Sequence, residues 1–411
     1  MANIIDYARG ATGPALRFKD MNAADALALT LLSWLDWDGI GGEGVELARA
    51  AQQIEGAGAS MEADADSQAD GGAGLGGARG AAANGGNSDA AGSDAEPMMR
   101  ASGATSVQAP GAELELARVM AASPRYGGLK LYGFERADMA QPALQFAALT
   151  LWDGHDAYLA FRGTDSSLAG WFEDIQLAYS EATPSQLYAQ AYLERAARRF
   201  GGGLYLGGHS KGGALALYAA VNAGAVQPRI RRVYSFDGPG LSRTAYQSAS
   251  YAQLRARLLA IVPPESVVGM LLWQDGELRV VRSDARGVRQ HDPMSWLTDA
   301  RGLVYAAELS PESLRLRDVA RALLSALPPQ GIEQLANSLY ALVLSTGART
   351  LGELSQYFAS HPDVLGQVQQ DAGGRAMYTL LYLMATAAGG DAQSSEQQQR
   401  QALEGLPGLG L

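Results

Sequence analysis

The chain has 411 residues, room for one large domain or two ordinary ones, and its 47% hydrophobic content supplies a sizeable core. A formal charge of −11 argues against a nucleic-acid binder, which needs a basic stripe, and against an electrostatic anchor on anionic lipid. The lack of cysteine excludes disulfides and thiolate metal sites, and the four histidines, His155, His209, His291 and His361, have no metal-site spacing, so no metal is expected; no dinucleotide fingerprint follows an early strand, so no cofactor is expected.

The opening MANIIDYARGATG lacks a basic region ahead of an apolar one, so it does not read as a signal peptide. No uninterrupted apolar run reaches about 18 residues, so no transmembrane segment is expected and the reading is a cytoplasmic protein. Residues 22–54 begin with an Asn cap and carry apolar residues at helical spacing. Residues 1–55 therefore read as a helical segment packing on the core that follows. From 56 to 108 the composition turns to Gly, Ala, Ser and Asp, with seven acids against two arginines between 57 and 105. Such a segment buries too little apolar surface to offset its ordering entropy, and it reads as a disordered insertion.

Residues 109–300 alternate strand and helix signals. ALQFAALTLWD and AYLAFRG read as neighbouring strands, and PSQLYAQAYLERAARRF as a helix. LYLGG is a short buried strand, KGGALALYAAVNAG a helix, and RRVYSFDGPG a strand running into a turn. RLLAIVPP and ELRVVRSD add further strands. This alternation predicts an α/β architecture, a mostly parallel sheet with helices on both faces. The amphipathic LRDVARALLSAL and IEQLANSLYALVLSTG predict a C-terminal helical region over 301–390, followed by a flexible tail, 391–411.

Gly208-His209-Ser210-Lys211-Gly212 fits G-x-S-x-G. In a glycine-rich chain that pattern means little alone. Its setting after an apolar strand and before a helix is what a nucleophile elbow requires. Gly208 and Gly212 let strand and helix approach, and the Lys211 amide points at the reacting oxygen. The spacing and residue order do not fit a phosphate-binding P-loop. In elbow folds the partners follow as acid, then histidine. His291, in RQHDPMSW, lies downstream of the last candidate strand and is the base by placement. His361 falls among C-terminal helices, His155 is upstream, and His209 adjoins the serine, where neighbouring side chains on a sharp turn diverge. Asp292, adjacent to His291, is a poor orienting partner. Asp237, at the carboxyl end of its strand, is the first candidate acid. Glu265, in IVPPESVVG, is the alternative. Asp237 has a structural use too, capping its own Gly-Pro turn. A second oxyanion donor is expected from AFRGTD, with Thr164 donating and Gly163 allowing close approach. Arg162 and Asp174 are expected to pair and hold that loop. Leu168, Trp171 and Phe172 read either as a lid or as ordinary core. Lys211 reads either as a cation favouring an anionic substrate or as a surface lysine.

AFRGTD…GWFEDI, LGGHSKGG and VYSFDGPG together resemble the landmarks of class 3, fungal-type lipases of the α/β-hydrolase fold. The resemblance implies Thr164 at the oxyanion position, Ser210 as nucleophile and His291 as base. More closely, MANIIDY, GWFEDI, SFDGPG and VPPESVVGMLL…QHDPMSW resemble a family of bacterial lipase-like proteins of unknown function, over residues 1 to about 50 and 120–300. Class 3 lipases place their acid in a D-x-V-P segment, where this chain has Glu265 and Ser266. Residue 211 is Lys where Leu is common. The reading is a serine esterase or lipase working through an acyl-enzyme on a small-molecule ester or lipid. The alternative is a non-catalytic binding or scaffold protein on a hydrolase fold.

Overall fold

The computed structural model describes residues 2–39, 44–54, 111–139, 144–164, 173–326 and 329–347, with positions 357 and 360. The expected insertion 56–108, Leu168, Trp171, Phe172, His361 and the tail 391–411 lie outside them. Two short helices, α1 (Ile4–Gly10) and α2 (Ala23–Leu31), open the chain. The two-residue β1 (Val45–Glu46) and α3 (Gly111–Ala122) follow. Strands β2 (Lys130–Met139), β3 (Leu144–Trp152) and β4 (Ala157–Phe161) come next. Then come α4 (Pro184–Arg199), β5 (Leu204–His209), α5 (Lys211–Val221) and β6 (Ile230–Phe236). The short α6 (Ala249–Leu254) leads to β7 (Leu258–Val262) and β8 (Glu277–Val280). Helices α7 (Pro311–Ala326) and α8 (Pro329–Ser345) close the described chain.

Strands β1 to β8 form one sheet in which spatial order equals chain order. The pairs from β1 to β4 are antiparallel, and those from β4 to β8 are parallel. The fold is α/β, one eight-stranded mixed sheet with helices packed on both faces. β2 had no counterpart in the sequence reading. KLYGFERADM is half-buried and carries charge, so it lacks the apolar run that marks the inner strands.

That order has a geometric consequence. Right-handed crossovers between strands added in one direction put every crossover helix on the same face. Helices α4, α5 and α6 accordingly share one apolar core, with Leu159, Leu206 and Val233 from the sheet. The other face would be bare. Its residues Tyr158, Tyr205, Phe236 and Ile261 instead pack against α1, α2 and α3. Both faces are covered, as the alternation predicted, but the second by the N-terminal helices rather than by crossovers.

Helix α2 is fixed at its start by Asn22, which accepts from the Ala24 and Asp25 amides while the Asp25 carboxylate accepts from the Asn22 amide. Asp25 is fully buried. It also receives Arg125 at 2.7 Å and the Tyr126 hydroxyl at 2.6 Å, tying α2 to the end of α3. None of the described helices is long and apolar enough to cross a membrane.

If the N-terminal helices are part of the sheet's core, Leu27→Ala on α2 and Leu215→Ala on α5, both at fully buried positions, should each cost about 2–5 kcal/mol in denaturant unfolding with one shared transition. A loss under about 1 kcal/mol for Leu27→Ala would show that this face contributes little.

Candidate active site

Ser210 stands between the end of β5 and the start of α5, with φ 57° and ψ −133°. A non-glycine residue in that region is strained, and the surroundings must hold it there. Its amide donates to Phe236 O at 3.0 Å, locking the turn onto β6. A Cβ on Gly208 would run into the Gly212 carbonyl, so only a bare backbone lets strand and helix cross this closely.

Asp237 occupies the equivalent place on the next strand. His209 is in register with Phe236, and Phe236 with Ile261, so residues 210 and 237 leave the sheet side by side. Asp237 also has positive φ, 45°, and with Leu272 these are the three described non-glycine residues that do. Its carboxylate is fully buried and fully used. Oδ1 accepts from Ser266 Oγ and from the Gly269 amide at 3.1 Å. Oδ2 faces His291 Nδ1 at 2.7 Å. A carboxylate can only accept, so Nδ1 carries the proton and Nε2 of neutral His291 has a free lone pair. Among the described residues Ser210 Oγ makes no hydrogen bond.

His291 ends a 3-10 turn, Gly287–His291. Glu265 grips that turn from outside: its amide donates to Gln290 Oε1 at 3.0 Å, and its carboxylate accepts from the Gly287 amide. The structure thus brings Asp237, not Glu265, to the His291 ring. In VPPESVVG it is Ser266 that reaches the buried carboxylate.

His209 is the residue the sequence reading passed over. It does not diverge from the site. Its Nε2–H donates to His291 O at 2.8 Å, and the two rings lie tilted at 35° with centroids 4.6 Å apart. The elbow strand therefore holds the backbone of the candidate base directly. Burial, and then the neighbouring His291, push the His209 imidazole down to about 3, so it stays neutral.

The Arg162-Gly163-Thr164 segment also lies beside the elbow. A Cβ on Gly163 would meet His209 O at 2.6 Å and Ser210 Cβ at 3.1 Å. The Thr164 hydroxyl donates to Asp174, at 2.9 and 2.8 Å from its two oxygens. This corrects the expected Arg162–Asp174 pair. Arg162 instead faces Asp138 on β2 at 3.6 Å. Asp174 keeps partial exposure as a residue, but its carboxyl is enclosed by protein, and burial pushes it up to about 7. Lys211 is a second correction. It is neither on the surface nor directed at a substrate. It is 1% exposed, and its Nζ donates to Glu173 at 3.0 Å and to Gln145 O at 2.9 Å. Glu173 also accepts from the Gln145 amide at 3.0 Å and the Ser185 amide at 2.6 Å. A buried pair made this way fixes the first residue of α5 to the segment after Thr164. Two cavities, of about 320 and 540 Å³, lie away from Ser210. Among the described residues no group of acids and histidines is arranged to hold a metal.

The chain belongs to the Mbeg1-like family, whose model matches residues 120–341. Similar solved structures include a fungal lipase–inhibitor complex, at 16% identity over 40% of this chain and 69% of that one, TM-score 0.31. Another is the Lip2 lipase of Yarrowia lipolytica, at 13% identity over 46% and 76% of the two chains, TM-score 0.28. No curated protein matched the chain.

Removing one partner of a buried ion pair strands the other, so Lys211→Met should cost about 3–5 kcal/mol in urea unfolding. Lys211→Met with Glu173→Gln should recover a large part of it; a cost equal to the sum of the single losses would contradict the pairing.

The two displaced pKa values act in opposite directions. The unfolded chain protonates His209 near 6.5 and the folded chain near 3, so this group's stabilisation is present above 6.5 and lost as pH falls toward 3. Asp174 rises from 3.8 to about 7, so its contribution is present below 3.8 and lost as pH climbs through 7. His209→Gln should flatten the acid limb of thermal midpoint against pH, and Asp174→Asn the limb between 4 and 7. Unchanged limbs would refute these assignments.

Proposed function

We propose that this member of the Mbeg1-like family is a serine hydrolase of carboxylic esters, lipase- or esterase-like, working through an acyl-enzyme on Ser210. The observation that carries the reading is the 2.7 Å bond between buried Asp237 and His291 Nδ1, set beside an elbow serine with positive φ.

In the proposed cycle His291 Nε2 takes the Ser210 hydroxyl proton as Oγ attacks the ester carbonyl. Asp237 holds the tautomer and stabilises the imidazolium. The tetrahedral oxyanion receives the Lys211 and Thr164 amides. The Thr164 hydroxyl has one proton, and with Asp174 ionised that proton is already directed at the carboxylate. The amide is then the donor this residue offers. His291 returns the proton to the leaving alcohol, giving the acyl-enzyme. Water, deprotonated by His291, releases the acid by the reverse geometry. Gly163 and Gly212 keep the backbones close, and no cofactor enters the cycle. The substrate class is a small-molecule ester or a lipid.

A fluorophosphonate probe tests the assignment. Wild type should label with one equivalent per chain, Ser210→Ala should not label, and His291→Ala should label only at a small residual rate, both variants keeping their circular dichroism. A folded wild type that does not label would count against the enzyme and move the scaffold reading ahead.

A further inference from the structure

A cavity of about 320 Å³ opens near the amino ends of β6 and β7, remote from Ser210. Arg232, Arg279 and Arg301 line it, with Tyr234 and Tyr305, and no acidic residue is part of its lining. In a chain carrying a formal charge of −11, three guanidiniums around one recess are a local reversal of sign.

Their neutralisation is incomplete. Arg232 and Arg279 share one carboxylate, Glu277, which receives the Arg232 guanidinium and Arg279 Nη2 at 2.6 Å. Arg279 is further held over the Tyr305 ring at 5.4 Å. Among the described residues the Arg301 guanidinium has no hydrogen bond or ion pair. The nearby Asp299 gives a carboxylate oxygen to the Arg301 amide, and Asp25, behind Asn22, is taken by Arg125. The lining itself carries three guanidiniums, two of them sharing Glu277, so the recess keeps a residual positive charge.

We infer that this cavity is a binding site for a phosphate monoester, whose dianion matches that residual charge and whose oxygens match the guanidinium fork. The larger cavity, of about 540 Å³, also has three arginines but a different chemistry. There Arg229 spends its guanidinium on the Ala197 and Gly202 carbonyls, and Arg199 lies over Tyr132 at 4.6 Å.

Calorimetry on the full chain with glycerol phosphate, at constant ionic strength, tests the site. Wild type should bind one equivalent saturably. Arg301→Ala, on an exposed side chain, should weaken binding about tenfold or more, and Arg279→Ala with Arg301→Ala should abolish it. Arg199→Ala with Arg231→Ala, in the other cavity, should leave it unchanged. So should Ser210→Ala, which separates this site from the proposed catalysis. Co-sedimentation with phosphatidic-acid vesicles identifies the source. Calorimetric binding without sedimentation supports a soluble ester, and sedimentation lost on Arg301→Ala supports a lipid phosphate in the same cavity. No saturable binding of either probe, or loss in the Arg199/Arg231 variant instead, overturns the proposal.

Discussion

The site depends on the parallel register of β5, β6 and β7. It sets Ser210 and Asp237 one strand apart at the same edge of the sheet, each turned into a positive-φ conformation that its sequence alone would avoid. The turns are held across strands: the Ser210 amide on Phe236 O, the Asp237 amide on Ile261 O at 2.8 Å. Strain at one strand end is therefore supported by its neighbour. With the acid fixed in this way, the position of His291 follows from the bond it makes to it.

The same sheet order shapes the rest of the molecule. With every crossover helix on one face, the opposite face relies on α1, α2 and α3. The N-terminal segment is thus part of the core beneath the site. Gly207 faces it, where a Cβ would strike the Tyr158 hydroxyl, itself bonded to Thr30 of α2 at 2.7 Å. The helix that caps the second face also touches the strand that carries the elbow.

Much of this was legible in the sequence. Strand, glycine turn and helix around Ser210 are local patterns, and so is a strand ending at Asp237. The chain order of serine, acid and histidine leaves His291 and His361, and its place just after the last candidate strand favours His291. What was not legible depends on tertiary partners. Arg162 and Asp174 carry opposite charges a short distance apart, yet Thr164 reaches Asp174 first and β2, a strand the pattern did not reveal, brings Asp138 to Arg162. The burial of Lys211 depends on Glu173, 38 residues away. His209 was judged only against its neighbour on the turn, whereas its partner is a backbone carbonyl 82 residues on. A polar side chain at the start of a buried helix was the available signal for Lys211, because a lysine there needs a partner.

The central claim is that Asp237 acts on the reaction only through His291. It is tested most directly by the rate of fluorophosphonate labelling in a cycle of Asp237→Asn and His291→Ala. Asp237→Asn alone should slow labelling by about 1,000- to 10,000-fold, since the amide favours the wrong tautomer. In the His291→Ala background it should change the residual rate by little. Independent, multiplying losses would contradict the account and separate the buried carboxylate from the histidine it touches.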